Sequence, residues 1–271
     1  MRMIRLGDVV LHHDDRGPRE APALVFANSL GTDLRLWDAL LPHLPDGLRI
    51  IRYDKRGHGL SSLPPRSPEG GWSLGELVAD TAALLDALGV RDCLFVGLSI
   101  GGMIAQGLAA ERPDLVRAMV ISNTAAKIGT PQMWEERAAR IRAGGIEVVA
   151  DSVMERWFSR RFREERPEEI VGWRNMLVRQ PIEGYVACAL AVGHADLAES
   201  TARLRLPTLA ITGSEDGSTP PDLVRETADL VPGARFALIR GAGHIPCVEK
   251  PEEYAGLLCE FIAATGHLAN S

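Results

Sequence analysis

Residues 93–110, CLFVGLSIGGMIAQGLAA, carry no charged side chain, and their pattern changes halfway along. The first half is a short, wholly apolar run of the kind a strand buried on both faces needs. The second half has the spacing of a buried helix. The run just reaches the length at which a membrane span becomes feasible, but its four glycines and the mid-run break favour a buried strand, turn and helix. At the break stands Gly97-Leu98-Ser99-Ile100-Gly101. A serine placed there for packing or capping would not need a glycine two residues away on each side. A serine held clear of the fold on a strained strand-to-helix turn would need both, because side chains at those positions would strike the adjoining helix and strand.

The rest of the chain supplies a frame for that turn. "ALVFANS", "LRIIRYDKRGHG" and "VRAMVISN" are further apolar runs, each followed by a loop, and "SLGELVADTAALLDALGV" has helical spacing. Ser73 stands at that helix's N-cap with Glu76 three residues on, and Gly89 ends it. Strand–helix alternation with apolar strands predicts an α/β fold built on a mostly parallel sheet covered on both faces. The alternation stops near Ala125, resumes at "LPTLAITGSED", and closes with "ARFALIRGAGH" and the helix "PEEYAGLLCEFIAA". The expected organisation is a core of residues 1–124 and 201–271, with residues 125–200 inserted as a helical cap.

Composition narrows the function classes. A net charge of −6 over 271 residues argues against a nucleic-acid or anionic-membrane partner. Arg156, Arg160, Arg161, Arg163 and Arg166 form a local exception, but glutamates interleave with them, and the stretch reads as a solvated helix face. Cys93, Cys188, Cys247 and Cys259 have neither CxxC nor zinc spacing, and the N-terminus lacks the apolar run of a signal peptide. Together these predict a cytoplasmic protein with reduced thiols. His12 and His13 beside Asp14 and Asp15 lack metal-site spacing and read as a hairpin surface, so no metal is expected. No phosphate-binding glycine loop opens a helix.

A serine hydroxyl needs a base and an orienting acid to become a nucleophile. For a turn of this type the chain order is Ser, then Asp or Glu, then His. Three histidines follow Ser99. His194 lies in the helical insertion, His267 in a polar tail, and His244 in the glycine-flanked loop "GAGHIP". His244 is the candidate base. The strand before it ends with Glu215 and Asp216, of which Asp216 is favoured. The developing oxyanion needs two donors. The N–H of Ile100 is one, and the N–H of Leu30, in "FANSLGTD", is the other. His58, beside Asp54 in "YDKRGHGLS", precedes the serine among turn residues and reads as scaffold.

These residues together resemble the α/β-hydrolase fold over essentially the whole chain. More narrowly, "FANSLGTDLRLWD", "GLSIGGMIAQGLA", "VISNTAAKIGTPQMW" and "EGYVACALAVGHADL" resemble the 3-oxoadipate enol-lactonases, bacterial enzymes of the β-ketoadipate pathway of aromatic breakdown. "NSLGT" is the more specific sign, since relatives often carry His-Gly where this chain has Asn28-Ser29. The resemblance implies an eight-stranded sheet, a helical cap, no metal or organic cofactor, and a triad at Ser99, Asp216 and His244. The partner it implies is a small lactone carrying a carboxylate. Trp134 and Arg137 resemble a W-x-x-R in the family's cap, with Trp134 lining the pocket and Arg137 pairing with that carboxylate. Gly193-His194 departs from a charged pair often found there, which bears on the pocket's lining. Rival expectations are a carboxylesterase or a cofactor-free perhydrolase or haloperoxidase on the same triad, and a ligand receptor with little turnover. A dehalogenase would need aspartate at position 99. The sequence leaves a homo-oligomer open.

Overall fold

The computed structural model describes residues 2–64 and 71–268. The strands are β1 (Arg2–Leu6), β2 (Val9–Arg16), β3 (Ala23–Ala27), β4 (Arg49–Tyr53), β5 (Cys93–Leu98), β6 (Val116–Ser122), β7 (Thr208–Gly213) and β8 (Arg235–Ile239). They form one eight-stranded sheet in the order β1-β2-β4-β3-β5-β6-β7-β8. The β1–β2 and β2–β4 pairings are antiparallel, and every other pairing is parallel. β3, β5 and β7 are buried along their whole length, which explains why they read as unbroken apolar runs.

The order reverses at β3. The chain steps outward from β3 to β4, then returns across β3 to β5 and continues the other way. At such a reversal, loops at the carboxyl ends of neighbouring strands diverge and leave a crevice. Register fixes what meets there, since Ala27 pairs with both Tyr53 and Gly97. The loops after β3, β4 and β5 therefore leave the sheet at one level.

α1 (Leu74–Ala87) begins as its sequence predicts. The Ser73 hydroxyl accepts from the Glu76 N–H, and the Glu76 carboxylate accepts from the Ser73 N–H. Ser73→Ala removes half of this reciprocal cap. It is expected to lower stability by about 1 kcal/mol, read as a shifted denaturant midpoint with turnover unchanged. α2 (Ile100–Glu111) follows β5 directly. Six helices then separate β6 from β7: α3 (Pro131–Gly144), α4 (Glu147–Trp157), α5 (Arg160–Glu165), α6 (Pro167–Val178), α7 (Ile182–His194) and α8 (Ala198–Ala202). Past β7 come α9 (Pro221–Asp229), then α10 (Pro246–Glu249) and α11 (Pro251–Ala264) after β8. Among the described residues no helix is long and apolar enough to cross a membrane.

Two histidine readings need correction. The His12–His13 pair is not a hairpin surface. β2 lies inside the sheet between β1 and β4, His13 is buried, and His12 Nδ1 lies 2.8 Å from Asp54 Oδ2. His267, read as part of a polar tail, is docked instead. It is buried, and its Nε2 donates to the Ala23 carbonyl at 3.0 Å, tying the end of the chain to the start of β3. Both corrections have one cause: sheet position and long-range docking are invisible in local sequence.

Candidate active site

The turn after β5 shows why the glycines are required. Ser99 has φ +59° and ψ −121°, a conformation that side-chain-bearing residues rarely adopt. A Cβ on Gly97 would lie 2.0 Å from the Gly101 carbonyl oxygen, and one on Gly101 would lie 2.1 Å from the Ala27 carbonyl oxygen. Both obstacles are backbone and cannot swing aside. Ser99 is the N-cap of α2, yet its side chain makes no capping bond. The hydroxyl is thus available at the positive end of a helix.

His244 and Asp216 come from the loops after β8 and β7. His244 Nδ1 lies 3.0 Å from Asp216 Oδ1 and 2.9 Å from Oδ2. The carboxylate also accepts from the backbone N–H groups of Ser218 and Thr219, the Thr219 hydroxyl and the Asn123 amide. Burial alone would raise its pKa. The positive charge His244 gains on protonation and the converging donors outweigh that and hold the carboxyl below its ordinary value. Glu215 is exposed and makes no hydrogen bond to His244 among the described residues. With Nδ1 donating to Asp216, the other His244 nitrogen is left as an acceptor. Ser99 and His244 line one cavity of about 440 Å³. No hydrogen bond joins them among the described residues, as is common before substrate aligns the pair.

Two supports of this arrangement escaped the sequence reading. Asn123 has φ +48° at the end of β6, and its Oδ1 accepts from the Ser122 hydroxyl, which turns the amide toward Asp216. Glu249 of α10 accepts from the Gly243 N–H at 2.6 Å and from the Ser159 N–H and hydroxyl, tying the His244 loop to the start of α5. Burial pushes the Glu249 carboxyl above its usual value despite these donors. An asparagine directly after a strand and a glutamate five residues beyond the histidine were the only available signals.

The loop after β3 completes the crevice. Leu30 lines the same cavity as Ser99. Among the described residues, the Leu30 N–H has no partner, and the Ile100 N–H, first in α2, has no intrahelical acceptor. The segment 54–61 holds this loop from behind. Asp54 accepts from the N–H groups of Leu34 and Leu60, the Lys55 ammonium donates to the Ser29 carbonyl, and His58 Nε2 accepts from the Gly31 N–H. His58 is fully buried, and burial with the nearby Lys55 charge depresses its pKa well below normal. It is a neutral acceptor outside the cavity.

The inserted helices form the opposite wall. Trp134, Arg137 and Arg140 of α3, Arg156 and Trp157 of α4, and Tyr185 of α7 line the cavity. Trp134 donates its indole N–H to the Ile128 carbonyl at 2.7 Å, which fixes the ring. Arg137 lies over the Trp134 and Tyr185 rings and donates to the Tyr185 hydroxyl at 2.7 Å. Its Nε is buried and unpartnered. Arg156 corrects the reading of its stretch as a solvated face. Arg160, Arg161 and Arg166 are exposed and paired with Glu164, Glu165 and Glu169, whereas Arg156 faces the cavity. Burial and the neighbouring Arg137 charge lower its pKa. Gly193 makes room for Trp134, since a Cβ there would meet the Trp134 Cβ at 2.7 Å, while His194 points outward to Glu135. α7 also touches the 54–61 segment, where Gly184 and Gly57 meet backbone to backbone. Among the described residues no cluster of His, Cys, Asp or Glu is placed to hold a metal ion.

Comparison with known proteins adds to this geometry. The model of the alpha/beta hydrolase family matches residues 24–257. 3-Oxoadipate enol-lactonase 2 of Acinetobacter baylyi is 34% identical over 91% of either chain. The crystal structure of the enol-lactonase from Burkholderia xenovorans superposes with a TM-score of 0.91 at 33% identity, covering 97% of this chain and all of the other. A thermophilic esterase from Thermogutta terrifontis superposes with a TM-score of 0.90 at 26% identity, over 98% of this chain and 99% of that one.

Proposed function

The chain belongs to the α/β-hydrolase family, and on that premise we propose that it opens 3-oxoadipate enol-lactone to 3-oxoadipate by a Ser99–His244–Asp216 acyl-enzyme mechanism. The observation that carries the substrate class is the pair Arg137 and Arg156. Both face the cavity that holds Ser99 and His244, and among the described residues neither is in an ion pair. Arg140 lines the same cavity, as does one acid, Glu136, so the guanidinium groups outnumber the carboxylates there; that arrangement suits a small anion, and a planar fork suits a carboxylate.

In this reading His244 takes the Ser99 proton as Oγ attacks the lactone carbonyl. The N–H groups of Leu30 and Ile100 stabilise the oxyanion. Collapse breaks the ring C–O bond and expels an enolate, a better leaving group than a simple alkoxide, which takes up the proton held by His244. Water, deprotonated by His244, then attacks the acyl-enzyme, and the proton returns to Ser99. The released enol becomes the ketone. Asp216 keeps its charge throughout and holds His244 in the tautomer the first step requires. Trp134 and Tyr185 flank the carboxylate-bearing end, and residues 125–200 act as the cap that sets substrate choice. Reduced cysteines fit a cytoplasmic setting.

The test follows loss of the enol-lactone chromophore at neutral pH, with p-nitrophenyl butyrate beside it. Arg137→Ala is expected to lower kcat/KM for the lactone about 10- to 100-fold, mainly through KM, while the uncharged ester changes less than about twofold. Equal losses on both substrates would remove the carboxylate from the argument. Rapid ester cleavage with an untouched lactone would leave the triad in place and point to a carboxylesterase.

A further inference from the structure

We infer that Lys55 is a positioning residue that orients and polarises the Ser29–Leu30 peptide, so that the Leu30 N–H meets the developing oxyanion. The inference rests on the serine-hydrolase reading above and adds to it a part for a side chain outside the cavity.

Lys55 is the second residue after β4 and is buried, and its Nζ donates to the Ser29 carbonyl oxygen at 2.7 Å. Among the described residues no carboxylate lies within ion-pair reach of the ammonium. The nearest acids are engaged elsewhere: Asp54 with His12 and two backbone N–H groups, Asp33 with Arg35. An unpaired ammonium is costly to bury, and a methionine of similar length would fill the space without that cost. Nor does the Ser29 carbonyl need the lysine as a partner. It already accepts from the Thr32 N–H at 3.3 Å and the Thr32 hydroxyl at 2.9 Å. Neither packing nor hydrogen-bond satisfaction accounts for a charge at this position.

The chemistry of one amide does. In a planar trans peptide the C=O and the following N–H point in opposite directions. Three donors on the Ser29 oxygen therefore fix the direction of the Leu30 N–H, toward the cavity that Ser29, Leu30, Ser99 and His244 line together. A cation on the carbonyl oxygen also draws electron density from nitrogen, which makes the N–H a stronger donor, as in any polarised hydrogen-bond chain. The next N–H, of Gly31, is taken by His58 Nε2 at 3.1 Å. The 54–61 segment thus occupies one N–H of the turn and activates its neighbour.

The charge has a window. Burial lowers the Lys55 pKa to about 8, with Asp54 and Asp33 partly offsetting it. Those acids and Cys188, together with neutral His58, are the titratable groups around it, and burial pushes the Cys188 thiol up to about 12. Lys55 is charged at pH 7 and loses its proton as pH rises through about 8, so turnover is expected to fall on the alkaline side.

The experiment compares wild type, Lys55→Met and Ser99→Ala on p-nitrophenyl butyrate and on the enol-lactone, from pH 6.5 to about 9.5. In Lys55→Met, kcat at pH 7 is expected to drop about 10- to 100-fold with KM within about twofold. The melting temperature should hold or rise, and the alkaline limb seen in wild type should vanish. A level wild-type profile would move only the pH at which the Lys55 charge is lost, whereas a Lys55→Met enzyme of normal kcat, or one impaired only in KM, would overturn the inference. Either result beside an inactive Ser99→Ala condemns this inference alone. Turnover surviving in Ser99→Ala would bring down the serine-hydrolase reading and this one together.

Discussion

Replacing Ser99 by alanine is expected to lower kcat on lactone and ester alike by about 10⁴- to 10⁶-fold. The size follows from the part proposed for one atom. The Ser99 hydroxyl caps nothing, and its removal should leave folding intact, so the loss should fall in kcat with an unchanged melting temperature. A companion variant separates chemistry from strain. Ser99→Gly should be equally inactive yet melt higher. Relief of a positive-φ residue is worth about 1–3 kcal/mol, against about 0.5–1 kcal/mol of added backbone entropy for glycine. Thermal melts and single-turnover acylation read the two effects separately. A Ser99→Ala enzyme with ordinary turnover would end the serine mechanism.

The second large effect belongs to Asp216→Asn, with an expected loss of about 10³- to 10⁴-fold in kcat. The carboxylate now accepts from His244 and from four other donors. An asparagine must turn its NH₂ toward some of them. If it faces His244, the ring has to accept at Nδ1 and carry its proton on Nε2, which leaves no base for Ser99. Both carboxylate oxygens lie within 3.0 Å of His244 Nδ1, so either orientation brings the NH₂ to the ring, and at the Oδ1 position it also meets the Ser218 and Thr219 N–H groups, at a stability cost of about 1–3 kcal/mol. Raising the pH cannot restore the activity, because the defect is the tautomer and not the charge. A pH–rate profile that merely shifted would argue for a purely electrostatic part for Asp216.

Much of the crevice could be read from the chain because its signals are local. The glycines around Ser99 answer to backbone atoms four residues away or on the adjoining strand, and the Ser73–Glu76 cap spans three residues. The parallel sheet follows from runs such as those of β5 and β7, which have no polar face to expose. What stayed hidden depends on register and docking. Lys55 reaches Ser29 and His58 reaches Gly31 only because β3 and β4 pair with Ala27 opposite Tyr53. No pattern within the DKRGHG segment says which loop it will face. Arg156 sits in a run of mixed charges whose other members do meet solvent. Its inward direction comes from α4 packing its Val149, Val153 and Trp157 side into the protein. His13 and His267 are polar residues buried by elements distant in sequence.

The contact between Gly57 and Gly184 bears on how freely such a protein could be re-engineered. A Cβ on Gly184 would lie 2.1 Å from the Gly57 carbonyl oxygen, so α7 rests on the segment behind the Leu30 loop with no side chain between them. The insertion invites grafting, since a foreign set of helices over the same strand ends would present a new pocket to Ser99. That exchange has a fixed joint. A donor helix with anything larger than glycine at this point would push the 54–61 segment off its seat, and with it the lysine and histidine that grip the turn. Transplanted helices would then arrive with a displaced Leu30 turn, unless the graft ended short of residue 184 or carried its own glycine there.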